Sequence, residues 1–471
     1  MTTRLTRRRF LKTGAAAAGL GYFYTASAVS AVRAAEGPNG KLRLACIGVG
    51  GKGDGDSSQA ARLFQVVAIC DVDDGNLNKK ANQSDRRSGA RPFADVKKYY
   101  DYRKMLEEMG KEIDAVTVST PDHTHAPASM MAMKMKKHVY CQKPLTHSVY
   151  EARQMRLTAK EMGVCTQLGN QGSASEGIRR AVEIVAAGVL GEVKEAHVWT
   201  DRPARYWKQA PDIVSRPPEK PVPKGLHWNE WIGVAPMRPY APGYHPFSWR
   251  AWRDFGTGAI GDMACHTANL TYRALKLGFA TGVVADARDI NPETYPSSSH
   301  VIYQFPARDG MAPVAVHWYE GFRGGKKLTP PDDLIQKVLK KGARLANSGC
   351  LLVGSKGLLF SPNDYGEQWQ LVGEGLTEAA KAVNKTLPRN GKGDQGMKDE
   401  WFEAITKNKP EIAFSNFGFA GMLTETILLG NIAGNCNGEH LEWDASSLAF
   451  TNNSKANNFV RNEYRKDFPV S

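Results

Sequence analysis

The chain has 471 residues, 42% hydrophobic and 23% charged, with a formal charge of +14. This is the makeup of a soluble globular protein with room for two domains. Six basic residues and no acid fall within residues 1–35, so the remainder carries about +8. With no basic stripe or nucleic-acid motif to use it, that excess serves solubility rather than a nucleic-acid partner.

The first element is an address. Thr6-Arg7-Arg8-Arg9-Phe10-Leu11-Lys12 precedes an Ala/Gly-rich apolar run to about residue 31, with small-residue cleavage candidates between Ala28 and Ala35. Basic, then apolar, then small is the order of a secretory signal, here of the twin-arginine type that moves folded proteins. The Tat translocase is then a partner during export, and the mature protein is periplasmic or extracytoplasmic. The apolar run is too broken to anchor the chain stably in a membrane. Seven scattered cysteines, odd in number and without C-x-x-C, fit a chain folded in a reducing compartment.

From residue 36 to 170 strand-like and helix-like runs alternate. Apolar runs at 41–50, 65–72, 113–120, 137–142 and 164–170 read as strands, and 100–109, 126–137 and 148–162 as helices. The rhythm predicts a parallel sheet covered on both faces, with ligands at the carboxyl ends of its strands. The first strand ends in Gly48, Gly50 and Gly53, a G-x-G-x-x-G that turns tightly, admits a pyrophosphate and opens a helix. Asp71 ends the next strand, 18 residues beyond Gly53. A carboxylate there accepts ribose hydroxyls and repels a 2′-phosphate, which favours NAD over NADP. Two further loops, Ser119–His125 and Cys141–Ser148, leave strands toward the same crevice. His123 and His125 lack the companions of a zinc site, so no metal is expected; one is read as a helix cap, the other as facing the cofactor.

Residues 171–445 read as a second domain, with strands at 192–200, 300–307, 312–321 and 349–361, followed by a tail at 446–471. Between 201 and 246 lie ten prolines and no convincing helix, and six of the ten tryptophans fall between Trp199 and Trp252. That loop suits a sugar-pocket wall or a surface packed on its own domain. Residues 322–348 form a basic, partly helical insertion. Asp262 and His266, four apart on a helical pattern, share one face.

Three motifs together resemble the Gfo/Idh/MocA oxidoreductases: Thr120-Pro121 with His125, Gln142-Lys143-Pro144, and Asp262-x-x-x-His266 after a glycine-rich turn. The resemblance spans about 41–435. It implies an α/β fold with an N-terminal Rossmann domain and a C-terminal α/β domain built on a large, mainly antiparallel open sheet, often paired into homodimers or homotetramers. It implies cofactor contacts at Gly48, Gly50, Gly53, Asp71, Thr120, His125, Gln142 and Lys143. His266 is the expected general base, oriented by Asp262, and Lys143 the donor to the substrate oxygen. The chain departs from the family pattern at Gln142, where relatives have Glu, at Ala264 for Gly, and at Asn269 for Asp. The expected activity is NAD-dependent oxidation of a secondary alcohol in a sugar, glycoside or polyol, with a cofactor held tightly and recycled in place. Redox-neutral glycoside cleavage through a transient keto-sugar and non-catalytic sugar or dinucleotide binding stand as alternatives.

Overall fold

The computed structural model describes residues 40–84, 89–203, 207 and 209–468. The twin-arginine segment lies outside the described residues.

Six strands make the first sheet: β1 (Arg43–Ile47), β2 (Gln65–Cys70), β3 (Lys97–Tyr99), β4 (Ala115–Val118), β5 (His138–Cys141) and β6 (Thr166–Leu168). They are parallel, in the order β3-β2-β1-β4-β5-β6. The order reverses between β1 and β4, so a crevice opens where their carboxyl ends part. Helices α1 (Lys52–Ala60), α2 (Tyr102–Met109), α3 (Asp122–Lys134) and α4 (Val149–Met162) cover the sheet. Their starts are written locally. Asp101 caps α2, and Ser148 with Glu151 forms a reciprocal capping box on α4, which Gly163 ends in the left-handed conformation.

The second sheet has ten strands. They are β7 (Val193–Thr200), β8 (Gly282–Arg288), β9 (Ser298–Phe305), β10 (Val314–Arg323), β11 (Lys326–Lys327), β12 (Ser348–Gly354), β13 (Gly357–Ser361), β14 (Gln370–Val372), β15 (Leu441–Asp444) and β16 (Ala449–Phe450). All neighbouring pairs are antiparallel except β7 with β10. The fold is therefore the expected Rossmann domain followed by a large, mostly antiparallel sheet.

Of four further helices, α5 (Gly258–Thr267), α7 (Gly393–Lys407) and α8 (Phe417–Asn435) tie the halves together, while α6 (Asp332–Val338) lies on the second sheet. Helix α8 is apolar on nearly every side and is buried along its length. Its Phe417 and Ala420 join the core of the first domain, while Leu423 to Ala433 join that of the second. Glu425 at its middle is held by the Arg153 guanidinium of α4 at 2.7 and 2.8 Å.

Packing does not follow the 36–170 and 171–445 division of the sequence. Helix α7 lies far along the chain, yet its Met397, Trp401, Ala404 and Ile405 pack with Leu42, Leu44 and Phe64 of the first domain. Nor does the tail begin as a free segment at 446: β15 and β16 pair, and Phe450, Ala456 and Val460 lie in the second core. The strand expected over 349–361 is a hairpin, β12–β13. The 322–348 insertion has a structural role: Leu334 and Val338 of α6 cover the outer sheet face against Trp199, Tyr319, Leu351 and Phe360. Among the described residues, no helix is long and apolar enough to cross a membrane, and all seven cysteines are buried and free.

Candidate active site

The crevice at the switch point is a cavity of about 570 Å³. Its floor is the turn after β1. Gly48 has φ +78°, and a side chain there would place a Cβ 2.5 Å from the Ser119 carbonyl oxygen. A Cβ on Gly50 would strike Asn76 at 2.3 Å, and one on Gly53 the Gly48 oxygen at 2.1 Å. Gly48 and Gly50 line the cavity, while Gly53 packs the start of α1 beneath them. At Gly48 and Gly53 backbone stands where a side chain would be, which makes a tight cradle at a helix start suited to a pyrophosphate. Asp71 lines the wall and accepts from Val49 N (2.9 Å), Gly50 N (3.1 Å), Asp73 N (3.0 Å) and Asn76 Nδ2 (3.2 Å). Its carboxylate holds the glycine turn in shape at the place where a ribose is expected.

Thr120, Gln142 and Lys143 also line the cavity. His125 does not. Its ring is 1% exposed, with Nε2 2.8 Å from the Thr120 oxygen and Nδ1 2.7 Å from the Pro144 oxygen. It laces the two expected loops together rather than facing the cofactor. His123 is held the same way, between the Phe255 and Trp231 oxygens at 3.2 and 2.9 Å. Neither ring has a nitrogen left for a metal, and no group of three or more ligating side chains occurs among the described residues.

Lys143 sits where the cavity meets the second domain. Its Nζ donates to Asp262 Oδ1 at 2.8 Å, and Arg250 Nε approaches the same oxygen at 3.5 Å. Here the structure corrects the expected pairing. Asp262 is drawn to these two cations and does not hydrogen-bond His266, although both stand on α5. Burial pushes the Asp262 carboxyl up, but Lys143 and Arg250 overcome it and hold the pKa below the usual carboxylate value. His266 is 4% exposed, its Nδ1 has no hydrogen-bond partner, and its ring meets Tyr365 edge-on with centroids 5.0 Å apart. Burial, reinforced by the Lys143 cation, drives its pKa well below the ordinary imidazole value. The imidazole is therefore neutral near pH 7, the form a proton acceptor needs.

Two acids absent from the sequence expectations complete the site. Asp122 Oδ2 accepts from Thr257 Oγ1 at 2.7 Å, a bond from the first domain to the residue before α5. Its Oδ1 is buried and unpartnered, and burial together with the Asp262 charge pushes the carboxyl up to about 7. Asp56 of α1 is fully buried and binds Lys398 Nζ (2.7 Å), Lys52 Nζ (2.6 Å), Ser119 Oγ (3.0 Å) and Gln142 Nε2 (2.7 Å). Asp56 thus sets a carboxylate directly beneath the Gln142 amide. Local spacing shows only Lys52, one turn away on α1; Gln142 and Lys398, which place Asp56 under the site, lie 86 and 342 positions away.

The Trp-rich loop forms the opposite wall. Trp231, Tyr244, Trp249, Trp252 and Phe255 make a small core of their own, and Trp231, Phe247, Trp249 and Arg250 present to the cavity. It is both a packed unit and a pocket wall.

Residues 42–170 match the oxidoreductase family with NAD-binding Rossmann fold, GFO_IDH_MocA. Residues 175–277 match its C-terminal alpha/beta domain, GFO_IDH_MocA_C2. Over these two stretches, just under half of its length, the chain is similar to the Gfo/Idh/MocA family. Its glycine cradle, Asp71 and 570 Å³ cavity fit the NAD that the first domain is built to hold. The chain is 33% identical over 104 residues to the 2,7-anhydro-N-acetylneuraminate hydratase of Escherichia coli K12, covering 21% of this chain and 28% of that protein. It is 31% identical over 155 residues to a glycosyl hydrolase family 109 protein of Shewanella woodyi, covering 32% of each. The chain thus spans about a third of the length of these curated relatives. In fold it is similar to the WlbA dehydrogenase of Bordetella pertussis, solved with NADH and UDP-GlcNAcA, with TM-score 0.56, 14% identity and coverage of 86% and 99%.

Proposed function

We propose that the protein oxidises a secondary alcohol of a sugar, glycoside or polyol with NAD, holds that cofactor tightly, and works outside the cytoplasm after twin-arginine export. One observation carries the chemistry: Lys143 belongs both to the cofactor cavity and to the buried ion pair on the helix that bears His266. When bound, NAD supplies the two-electron acceptor. Lys143 donates to the substrate oxygen and stabilises the charge developing there, and Asp262 fixes its Nζ. Neutral His266 accepts the hydroxyl proton. Positioned proton transfer of this kind contributes about 10²- to 10⁴-fold.

The test is a pair of single variants. Lys143→Met and His266→Gln should each lower turnover by at least about 10²-fold while binding NADH within a few-fold of the unaltered protein. Full turnover in both removes the assignment.

The redox-neutral alternative has its own support. The relatives named as a hydratase and a glycosyl hydrolase carry out no net oxidation, and an exported enzyme has no cytoplasmic NAD supply. Repeated turnover on one equivalent of bound NAD, with no added oxidant, supports internal recycling; a stop after one turnover argues for net oxidation. For export, exchanging Arg7 and Arg8 for Lys should retain the protein in the cytoplasm, and unchanged fractionation would refute the route.

A further inference from the structure

The cavity has two distinguishable ends. Gln142 and Lys143 mark the chemical end. Asp71, closing β2, and Tyr100 to Tyr102, after β3, mark the nucleotide end. Phe468 lines the cavity too, although it lies almost 200 positions beyond the residues matched by the family's C-terminal domain.

Phe468 is 2% exposed and shares an apolar cluster with Tyr102 and Val234. The Arg103 guanidinium at the start of α2 lies over its ring, 3.6 Å from the centroid. Since α2 follows β3, this fixes Phe468 at the nucleotide end. The segment leading to it is bonded to two separate parts of the molecule, the start of α4 and the Trp-rich loop. Tyr150 N donates to the Val460 oxygen at 2.9 Å, and Asn462 Nδ2 bonds His147 Nδ1 at 2.8 Å. Tyr464 OH donates to Glu151. Arg465 then crosses to the Trp-rich loop: its N–H donates to the Val234 oxygen at 2.9 Å, and its Nη2 to Asn229 Oδ1 at 2.8 Å.

We propose that residues 460–468 are a strap that closes the nucleotide end of the cavity, with Phe468 as the wall against the adenosine half of NAD. The proposal rests on the NAD-dependent reading above and supplies its missing part, a physical reason for slow cofactor exchange. Between Val460 and Phe468 the strap has neither helix nor strand. It is held by a few side-chain and backbone bonds and by the seat of the Phe468 ring, so lifting it breaks far fewer contacts than unfolding either core would. Release of the dinucleotide then requires Phe468 to leave its seat under Arg103 and the Arg465 bonds to the loop to break. Chemistry at Lys143 requires neither.

The experiment is stopped-flow dissociation of NADH from the full chain, followed by nicotinamide fluorescence, in the unaltered protein, Phe468→Ala, Phe468→Tyr and Arg465→Ala. Removing an aromatic ring with its cation partner is worth about a tenfold change. Phe468→Ala and Arg465→Ala should therefore release NADH about tenfold faster or more, with Phe468→Tyr close to the unaltered rate. The thermal midpoint of the NAD-free protein should be unchanged in Phe468→Tyr and Arg465→Ala and lowered in Phe468→Ala, whose ring is buried. Release within twofold of the unaltered rate in both alanine variants overturns the strap while leaving the NAD-dependent reading intact. Failure of the unaltered protein to bind NADH overturns both. If Phe468→Ala does not fold, Arg465→Ala decides alone, because its side chain bonds the loop rather than the core.

Discussion

Gln142 donates its amide to Asp56 Oδ2 at 2.7 Å, deep under the glycine turn. Replacing it with Glu would set two carboxylates against each other around two lysines already engaged. Gln142→Glu is therefore expected to lower stability at pH 7 and to lose that deficit toward pH 4, as one carboxyl takes a proton; denaturant titrations at both values measure it. An equal deficit at both pH values would mean that charge is not the cause. Asp122 gives a second residue-scale test. Its folded pKa is about 7 against 3.8 for a free aspartate. The folded state thus binds more protons than the unfolded one in that window, and this group costs stability as pH rises through it. Asp122→Asn removes the cost, so its stability relative to the unaltered protein should climb from about pH 4 to 7 and level off above. A flat difference would refute the buried-acid account. At this scale the glycine motif was legible, because Gly48 combines a positive φ with a close backbone approach and Gly53 lies against the Gly48 oxygen. The partner of Asp262 was not, since helical spacing reports shared faces within α5 but says nothing of Lys143 and Arg250 arriving from elsewhere.

The elements show the same boundary between local and distant. Strands β1, β2, β4, β5 and β6 were readable as apolar runs, and α4 as a helical pattern over 148–162. Strand β3, only Lys97–Tyr99 at the sheet edge with two exposed lysines, carries no such run. Helix α7 was invisible as part of the first domain because its pairing is wholly nonlocal. Its Lys398, 0% exposed, meets Asp56, also 0% exposed. Breaking a buried pair by removing one partner typically costs about 3–5 kcal/mol, because the other charge stays buried. Lys398→Met should lose roughly that much in chemical denaturation, and Lys398→Met with Asp56→Asn should recover part of it. A loss below about 1 kcal/mol would show the pair to be hydrated and dispensable.

For the whole molecule, the cleft is a product of both domains. Helix α8 runs through both cores, Asp122 bonds Thr257, and Lys143 meets Asp262 across the same gap. The sequence disclosed the two-domain plan and its shared crevice through the glycine turn and Lys143, which line it, whereas Asp262 and His266 are not among the lining residues. It did not disclose how the crevice is closed, because Arg250 and Phe468 reach it from segments with no motif of their own. The most direct measurement of the central claim is absorbance in the reduced-nicotinamide band. The purified protein, carrying one equivalent of NAD, is mixed with a panel of sugars, glycosides and polyols beside a Lys143→Met variant that binds NAD equally well. At least one compound should raise the band, stably or transiently, in the unaltered protein and in no case in the variant. A silent panel with NAD bound, or an equal signal from both proteins, would contradict the account.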